Sequence, residues 1–231
     1  MCDCKIELVV FDLGRVLVRI CDDWGEAFER AGFVVPEEVK GLLETGVVGE
    51  AKEALLKNEV GAIGSEAFYE IYGQLFGVEK DVVAKVGKCY LQGKFEGVDE
   101  LIADLKAVGV KTACLSNTNE AHWEIMMGRD VGCGCDEDQG GELGGNSALP
   151  LGELDFAWAS HLMGDRKPNE SIYWMAESLA GIKGERILFF DDLLKNVEAA
   201  KGCGWRAERI GDRDDPVGEM RGHLRAYGLL D

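Results

Sequence analysis

Three short apolar runs, each ending on a polar or acidic residue, constrain this chain more than anything else in it. Ile6 to Phe11 (IELVVF) is rich in β-branched residues and runs into Asp12; Val110 to Leu115 (VKTACL) runs into Ser116; Arg186 to Phe190 (RILFF) runs into Asp191. Such runs are the pattern of strands buried on both faces of a parallel sheet. Trp205 to Ile210 is a weaker run of the same kind. Helical patterns lie between them at Val98–Val108, His122–Met127, Pro168–Ala180 and Asn196–Gly202. In the third, Ile172, Ala176, Leu179 and Ala180 recur at helical spacing, and Pro168 suits a first helical turn. The alternation predicts an α/β fold built on a doubly wound parallel sheet, whose ligands bind at the carboxyl ends of the strands. Asp12, Ser116 and Asp191 fall there.

The alternation breaks once. From about Ile20 to Lys94 the chain carries amphipathic helical patterns (WGEAFERAGF, PEEVKGLLETG, SEAFYEIYGQLFG, EKDVVAKVGKCYLQ) and no convincing strand. This predicts an inserted helical cap at 20–94, placed to close over a substrate, with residues 1–19 and 95–231 forming the α/β core. Asp23-Trp24-Gly25-Glu26 reads as a helix capping box. Within the core, Gly128 to Gly152 is glycine-rich, carries the acidic run Asp136-Glu137-Asp138 and has few large apolar side chains, so a loop insertion is expected at 128–152.

Charge narrows the partners. The 43 acids outnumber the 25 bases of this 231-residue chain, giving a net charge of −18. That surface repels phosphate backbones and anionic headgroups, which predicts no nucleic acid and no membrane partner. A pocket cation or metal can still reverse the local potential for a small anion. No stretch approaches the ~20 apolar residues of a membrane span, and the opening MCDCKIELVVFD lacks signal-peptide flanks. A cytoplasmic protein, monomer or homodimer, with free thiols at its eight cysteines is the expectation. The pairs Cys2/Cys4 and Cys133/Cys135 have one-residue spacing, unlike structural zinc sites.

Four motifs stand at the predicted strand ends, in order: Phe11-Asp12-Leu13-Gly14-Arg15-Val16, Leu115-Ser116-Asn117-Thr118-Asn119, Arg166-Lys167-Pro168, and Phe190-Asp191-Asp192 followed by Asn196. Taken singly, each reads as a helix cap or a turn. Taken together, they supply what displacement at phosphorus needs: a nucleophile, carboxylates for a metal that neutralises phosphoryl oxygens, and a cation with hydrogen-bond donors. Asp12 with Asp191 or Asp192 suits the oxygen shell of Mg²⁺.

In these motifs, and in FDLGRVLV, LSNTNEAHW, SHLMGDRKPNESIY and FFDDLLKNVEAA, the sequence resembles the haloacid dehalogenase-like hydrolase superfamily over nearly its whole length. The branch it is most similar to holds small sugar-phosphate phosphatases and the phosphatase domain of soluble epoxide hydrolase. The resemblance implies a Rossmann-like core and a Mg²⁺-dependent phosphatase acting on a small phosphorylated substrate. It implies that Asp12 attacks phosphorus to form a phosphoaspartate, and that Asp12, the Gly14 carbonyl, Asp191 and Asp192 bind Mg²⁺. It further implies that Ser116 and the Asn117 backbone hold phosphate oxygens and that Lys167 neutralises the nucleophile and the transferred group. Arg15 is a candidate to clamp a substrate anion.

The sequence departs from that pattern at Gly14, where most phosphatases of the superfamily carry a second aspartate as general acid and base. Such a group is worth roughly 10²–10⁴ in rate. Its absence points to a substrate with a good leaving group, an anomeric sugar phosphate or an aryl phosphate, to a cap residue such as Asp22 or Asp23 as replacement, or to a weakly active binding protein. A 2-haloacid dehalogenase also uses an aspartate nucleophile and lacks the second aspartate. Against it, Asp191-Asp192 would repel a carboxylate substrate.

Overall fold

The computed structural model describes residues 5–129 and 150–231. In chain order the elements are strands β1 (Leu8–Phe11) and β2 (Val18–Ile20), then helices α1 (Trp24–Arg30), α2 (Glu37–Thr45), α3 (Gly49–Glu59), α4 (Ser65–Phe76) and α5 (Lys80–Cys89). Strand β3 (Leu91–Lys94), helix α6 (Val98–Ala107), strand β4 (Lys111–Ser116) and helix α7 (Glu120–Met126) follow. The last third holds β5 (Phe156–Ala159), α8 (Ser160–Met163), α9 (Glu170–Ala180), β6 (Ile187–Asp191), α10 (Leu194–Gly202), β7 (Arg206–Arg209) and α11 (Pro216–Ala226).

Five strands form one sheet in the order β5-β4-β1-β6-β7, with every neighbouring pair parallel. The chain therefore winds outward from β1 in both directions, the doubly wound arrangement in which a crevice opens beside the central strand. Register brings the motifs level: Phe11 lies opposite both Cys114 and Phe190, so Asp12, Ser116 and Asp191 emerge at the same end of the sheet. The sheet is buried because both its faces are covered. Leu8, Val10, Ala113, Leu115, Ile187 and Phe189 pack with Ile172, Tyr173 and Ala176 of α9 and with Val197 and Ala200 of α10. Alternate residues point the other way, where Phe11 stacks on Phe190 and Phe190 meets His223 of α11.

The described chain divides into two compact units. The sheet unit is built from the segment ending at Arg19, from Lys94–Asn117 and from the segment beginning at Pro150; the helical unit is built from Ile20–Gly93 and the segment beginning at Thr118. In the helical unit, Trp24 sits among the rings of Phe68, Tyr72, Phe76 and Tyr90 at centroid distances of 5.3–6.5 Å. The capping motif forms as read: Asp23 accepts from the Glu26 N–H at 3.0 Å, while Glu26 reaches back to the Asp22 N–H at 2.7 Å. Among the described residues no helix is long and apolar enough to cross a membrane.

Several sequence readings are corrected. The segment 20–94 does contain strand: β2 and β3 pair as a two-stranded sheet. The edge strand β5 and the helices α3 and α11 are additions to the expected elements; α11 carries the helical spacing Val217, Met220, Leu224 on its buried side behind an Asp215 cap. Pro168 does not open α9, because a turn closed by the Asn169 N–H on the Arg166 carbonyl (3.0 Å) precedes the helix, which starts at Glu170. Leu179, assigned to that helix's buried face, is 60% exposed. Cys21, Cys114 and Cys203 are free thiols, whereas Cys89 is disulfide-bonded, against the expectation. Most of the expected 128–152 loop, Cys133 and Cys135 included, lies outside the described residues.

Candidate functional site

All eight residues singled out in the sequence lie in the sheet unit. The first motif leaves β1 through a tight turn in which the N–H groups of Val16, Leu17 and Val18 all bond to the Leu13 carbonyl and the Arg15 N–H bonds to the Val18 carbonyl at 2.7 Å. Arg15 stands in this turn with φ of 62°, a left-handed conformation that ordinary residues avoid. Strain of this kind costs of order 1–3 kcal/mol and persists where the surroundings fix it, often at functional sites. Its guanidinium lies 3.9 Å from Asp192 Oδ2.

Lys167 is the centre of the arrangement. It has no exposed surface, and its ammonium lies 2.9 Å from Asp12 Oδ1 and 2.7 Å from Asp191 Oδ2. The face of Phe189 approaches it at 5.2 Å. A buried ammonium is tolerated only where carboxylates compensate its lost hydration. Burial pulls the Lys167 pKa down, but Asp12 and Asp191 more than offset that and raise it above the ordinary lysine value.

The three carboxylates have different surroundings. Asp191, fully buried, accepts from the Leu193 N–H (2.9 Å) and Asn196 Nδ2 (3.0 Å) on Oδ1, and from Lys167 (2.7 Å) and Asn196 Nδ2 (3.0 Å) on Oδ2. Those contacts fill the roughly four lone-pair sites a carboxylate offers. Asp12 uses only Oδ1, for the Leu13 N–H at 2.7 Å and for Lys167; its Oδ2 has no hydrogen bond among the described residues. Burial pushes the Asp12 pKa up to about 7, with Lys167 opposing and the charges of Asp191 and Asp192 adding to the rise. Asp192 is raised as well, by burial and then by Asp191. One oxygen from each of Asp12, Asp191 and Asp192 can be chosen so that all lie within 4.8 Å of one another.

Ser116 ends β4, buried, and its hydroxyl has no hydrogen-bond partner among the described residues. The Asn117 side chain bonds to the main chain of Lys167 on both sides, Oδ1 accepting from the N–H and Nδ2 donating to the carbonyl, each at 2.9 Å. Sequence reasoning did not assign this contact, nor the grip of Asn196 on Asp191. The only local signal for the second was the five-residue step from Asp191 to Asn196 across a strand-to-helix turn. His122 Nε2 lies 2.8 Å from the Gly87 carbonyl within the helical unit.

Comparison with known proteins accords with this geometry. A family model for haloacid dehalogenase-like hydrolase matches residues 6–204. No curated protein matches the sequence. A HAD family enzyme of Bacteroides thetaiotaomicron, solved in complex with magnesium and inorganic phosphate, is 20% identical and superposes with a TM-score of 0.70 over 90% of this chain and 96% of its own. A HAD-like family hydrolase of Porphyromonas gingivalis gives 23% identity and a TM-score of 0.71 over 96% and 98%. The L-2-haloacid dehalogenase of Xanthobacter autotrophicus, with chloropropionic acid covalently bound, gives 17% and 0.60 over 98% and 85%. At these identities the likeness establishes the fold.

Proposed function

Because the chain belongs to the haloacid dehalogenase-like hydrolase family, we propose that it is a Mg²⁺-dependent phosphatase of a small phosphomonoester, with Asp12 as nucleophile. The observation that carries this reading is the cluster of three carboxylates around a fully buried lysine. Among the described residues, three carboxylates face only Lys167 and Arg15, and burial, with Asp191 and Asp192 adding to it against Lys167, raises the Asp12 pKa to about 7. An all-oxygen, carboxylate-rich donor set suits a hard dication. Asp12 and Asp192, with the Gly14 carbonyl, would hold Mg²⁺, and Asp191 would reach it only by giving up one of its four hydrogen bonds. When bound, the ion supplies charge neutralisation for the phosphoryl oxygens.

The residues divide the work. The open Oδ2 of Asp12 is the atom free to attack phosphorus; the Asp12–phosphorus bond forms as the bond to the leaving oxygen breaks. Lys167 holds Asp12 by Oδ1, which keeps the carboxylate oriented and leaves Oδ2 forward. The unpartnered Ser116 hydroxyl and the Asn117 N–H are donors for phosphoryl oxygens. Water then attacks the phosphoaspartate and returns Asp12. With Gly14 where an acid commonly stands, the departing oxygen takes its proton from solvent, which favours acidic leaving groups: anomeric sugar phosphates and aryl phosphates.

The second reading is a 2-haloacid dehalogenase, favoured by the absent second acid and by the fold shared with the Xanthobacter enzyme. Asp191 and Asp192 oppose it, since a carboxylate substrate would meet both. One panel separates the readings. Phosphate release from aryl and sugar phosphates in Mg²⁺, abolished by EDTA and by Asp12→Asn, is the expected result. Release that survives Asp12→Asn removes the nucleophile, and chloride release from a 2-haloacid in EDTA replaces the phosphatase with the dehalogenase.

A further inference from the structure

The Asn117 side chain makes a contact that the proposed reaction does not use. A primary amide presents an acceptor and a donor side by side, as a peptide unit does. With both bonds to Lys167 at 2.9 Å, Asn117 pairs with the Lys167 main chain as a neighbouring strand would, across fifty residues of sequence. The loop is fixed on its other side too: Asp165 accepts from the Arg166 N–H at 2.8 Å, from Asn169 Nδ2 at 2.6 Å and from the Ser171 hydroxyl. Lysine is a flexible stem with a point charge at its end. Its ammonium can hold a fixed position between Asp12 and Asp191 only if the main chain from which it projects is itself fixed.

We propose that the Asn117 side chain is a positioning residue that acts through Lys167, setting where the ammonium stands against Asp12 while the Asn117 N–H remains for substrate. The clamp is a property of the fold; its effect on turnover rests on the phosphatase reading above. With its oxygen and one N–H committed to the Lys167 main chain, the amide serves the lysine first, so its loss should appear in kcat more than in KM.

The test compares wild type, Asn117→Ala, Lys167→Met and the double variant in three measurements. These are Mg²⁺-supported phosphate release from an aryl phosphate, thermal unfolding, and amine-directed labelling of Lys167 read by mass spectrometry without substrate. Misplacement of a catalytic group by about 1 Å costs ~10²-fold, so Asn117→Ala should lower kcat by about 10- to 100-fold with a smaller change in KM. In the Lys167→Met background the same substitution should cost no further activity, because the group it positions is gone. It should still lower the unfolding temperature there, because the clamp grips main chain that Lys167→Met retains. Labelling of Lys167, fully buried in the intact protein, should be several times faster in Asn117→Ala.

Equal activity losses in the two backgrounds would overturn the action through Lys167. Unchanged labelling together with unchanged unfolding would overturn the clamp itself. Should wild type release no phosphate from any ester, the phosphatase reading falls, and labelling and unfolding still decide the clamp.

Discussion

The two units of this protein bury different things. The helical unit buries rings: Phe28, Phe68, Tyr72 and Phe76 are at most 4% exposed, and the Tyr72 hydroxyl is satisfied by the Ala51 carbonyl at 2.8 Å. The sheet unit buries rings as well, among them Phe11, Tyr173, Phe189 and Phe190, but it also buries charge: Lys167 and Asp191 are fully enclosed and Asp12 is 8% exposed. Burial of rings stabilises a fold roughly in proportion to the area removed from water. Burial of an imperfectly balanced charge cluster costs stability and is retained where it serves chemistry. The comparison teaches that both units pack on rings while buried charge, among the described residues, is confined to the sheet unit, so each can be disturbed separately.

The largest effect is expected at Asp12, the proposed nucleophile. Asp12→Asn should reduce phosphate release by at least ~10³-fold, in line with the loss of a covalent nucleophile, while the unfolding temperature holds or rises because one of three clustered carboxylates is gone and Asp191 still pairs with Lys167. A large fall in unfolding temperature would show that the cluster stabilises the sheet unit after all.

In the helical unit the opposite outcome is expected. Phe76 contacts Trp24, Phe28 and Tyr72 at ring-centroid distances of 5.1–5.8 Å, and Phe76→Ala should destabilise by about 3–5 kcal/mol through the cavity it leaves. Denaturant unfolding measures this. A loss under about 1 kcal/mol would mean the rings repack freely, against the close packing typical of protein interiors.

Gly14→Asp sharpens the comparison from the chemical side. Placing a carboxyl two residues after Asp12 should, on the proposed reading, speed hydrolysis of alkyl phosphates by up to ~10² and change aryl phosphates less, since a positioned acid helps poor leaving groups most. Steady-state rates on a matched alkyl and aryl pair give the answer. Equal gains on both would point to metal or substrate binding in place of proton transfer.

The smallest effect is a pH dependence. The Asp12 pKa in the folded protein, about 7, lies above the ordinary 3.8, so the folded protein holds a proton that the unfolded chain releases. Its contribution to stability is therefore full below about pH 4 and is lost as pH rises through about 7. On the proposed reading, Mg²⁺ would compete with that proton. Thermal unfolding with and without Mg²⁺ should show a gap that widens between about pH 5 and pH 8 and then levels off. A gap that shrinks over this range would separate the metal from Asp12.

Much of the scaffold was legible locally. Strands such as β1 and β6 are uninterrupted apolar runs because both faces of a parallel sheet are covered, and the acid that follows each run marks its open end. The Asp23 cap was legible because its partner is three residues away. The edge strand β5 escaped notice because Phe156–Ala159 is four residues long, with a half-buried start. Leu179 was misassigned because helical spacing gives a stripe but not how wide a part of it the core covers.

The sequence by itself determined the order of the motifs, the strand ends on which they stand and the glycine two residues after Asp12, since each depends on neighbours within a few residues. Only the tertiary structure decided which carboxylate oxygen is open, that Asn196 saturates Asp191, and that Asn117 grips Lys167. Those facts depend on sheet register and crossover connections that bring residues 12, 117, 167 and 191 together. Hydrogen-bond partners so distant in sequence leave no local period, because what pairs them is the geometry of the assembled sheet.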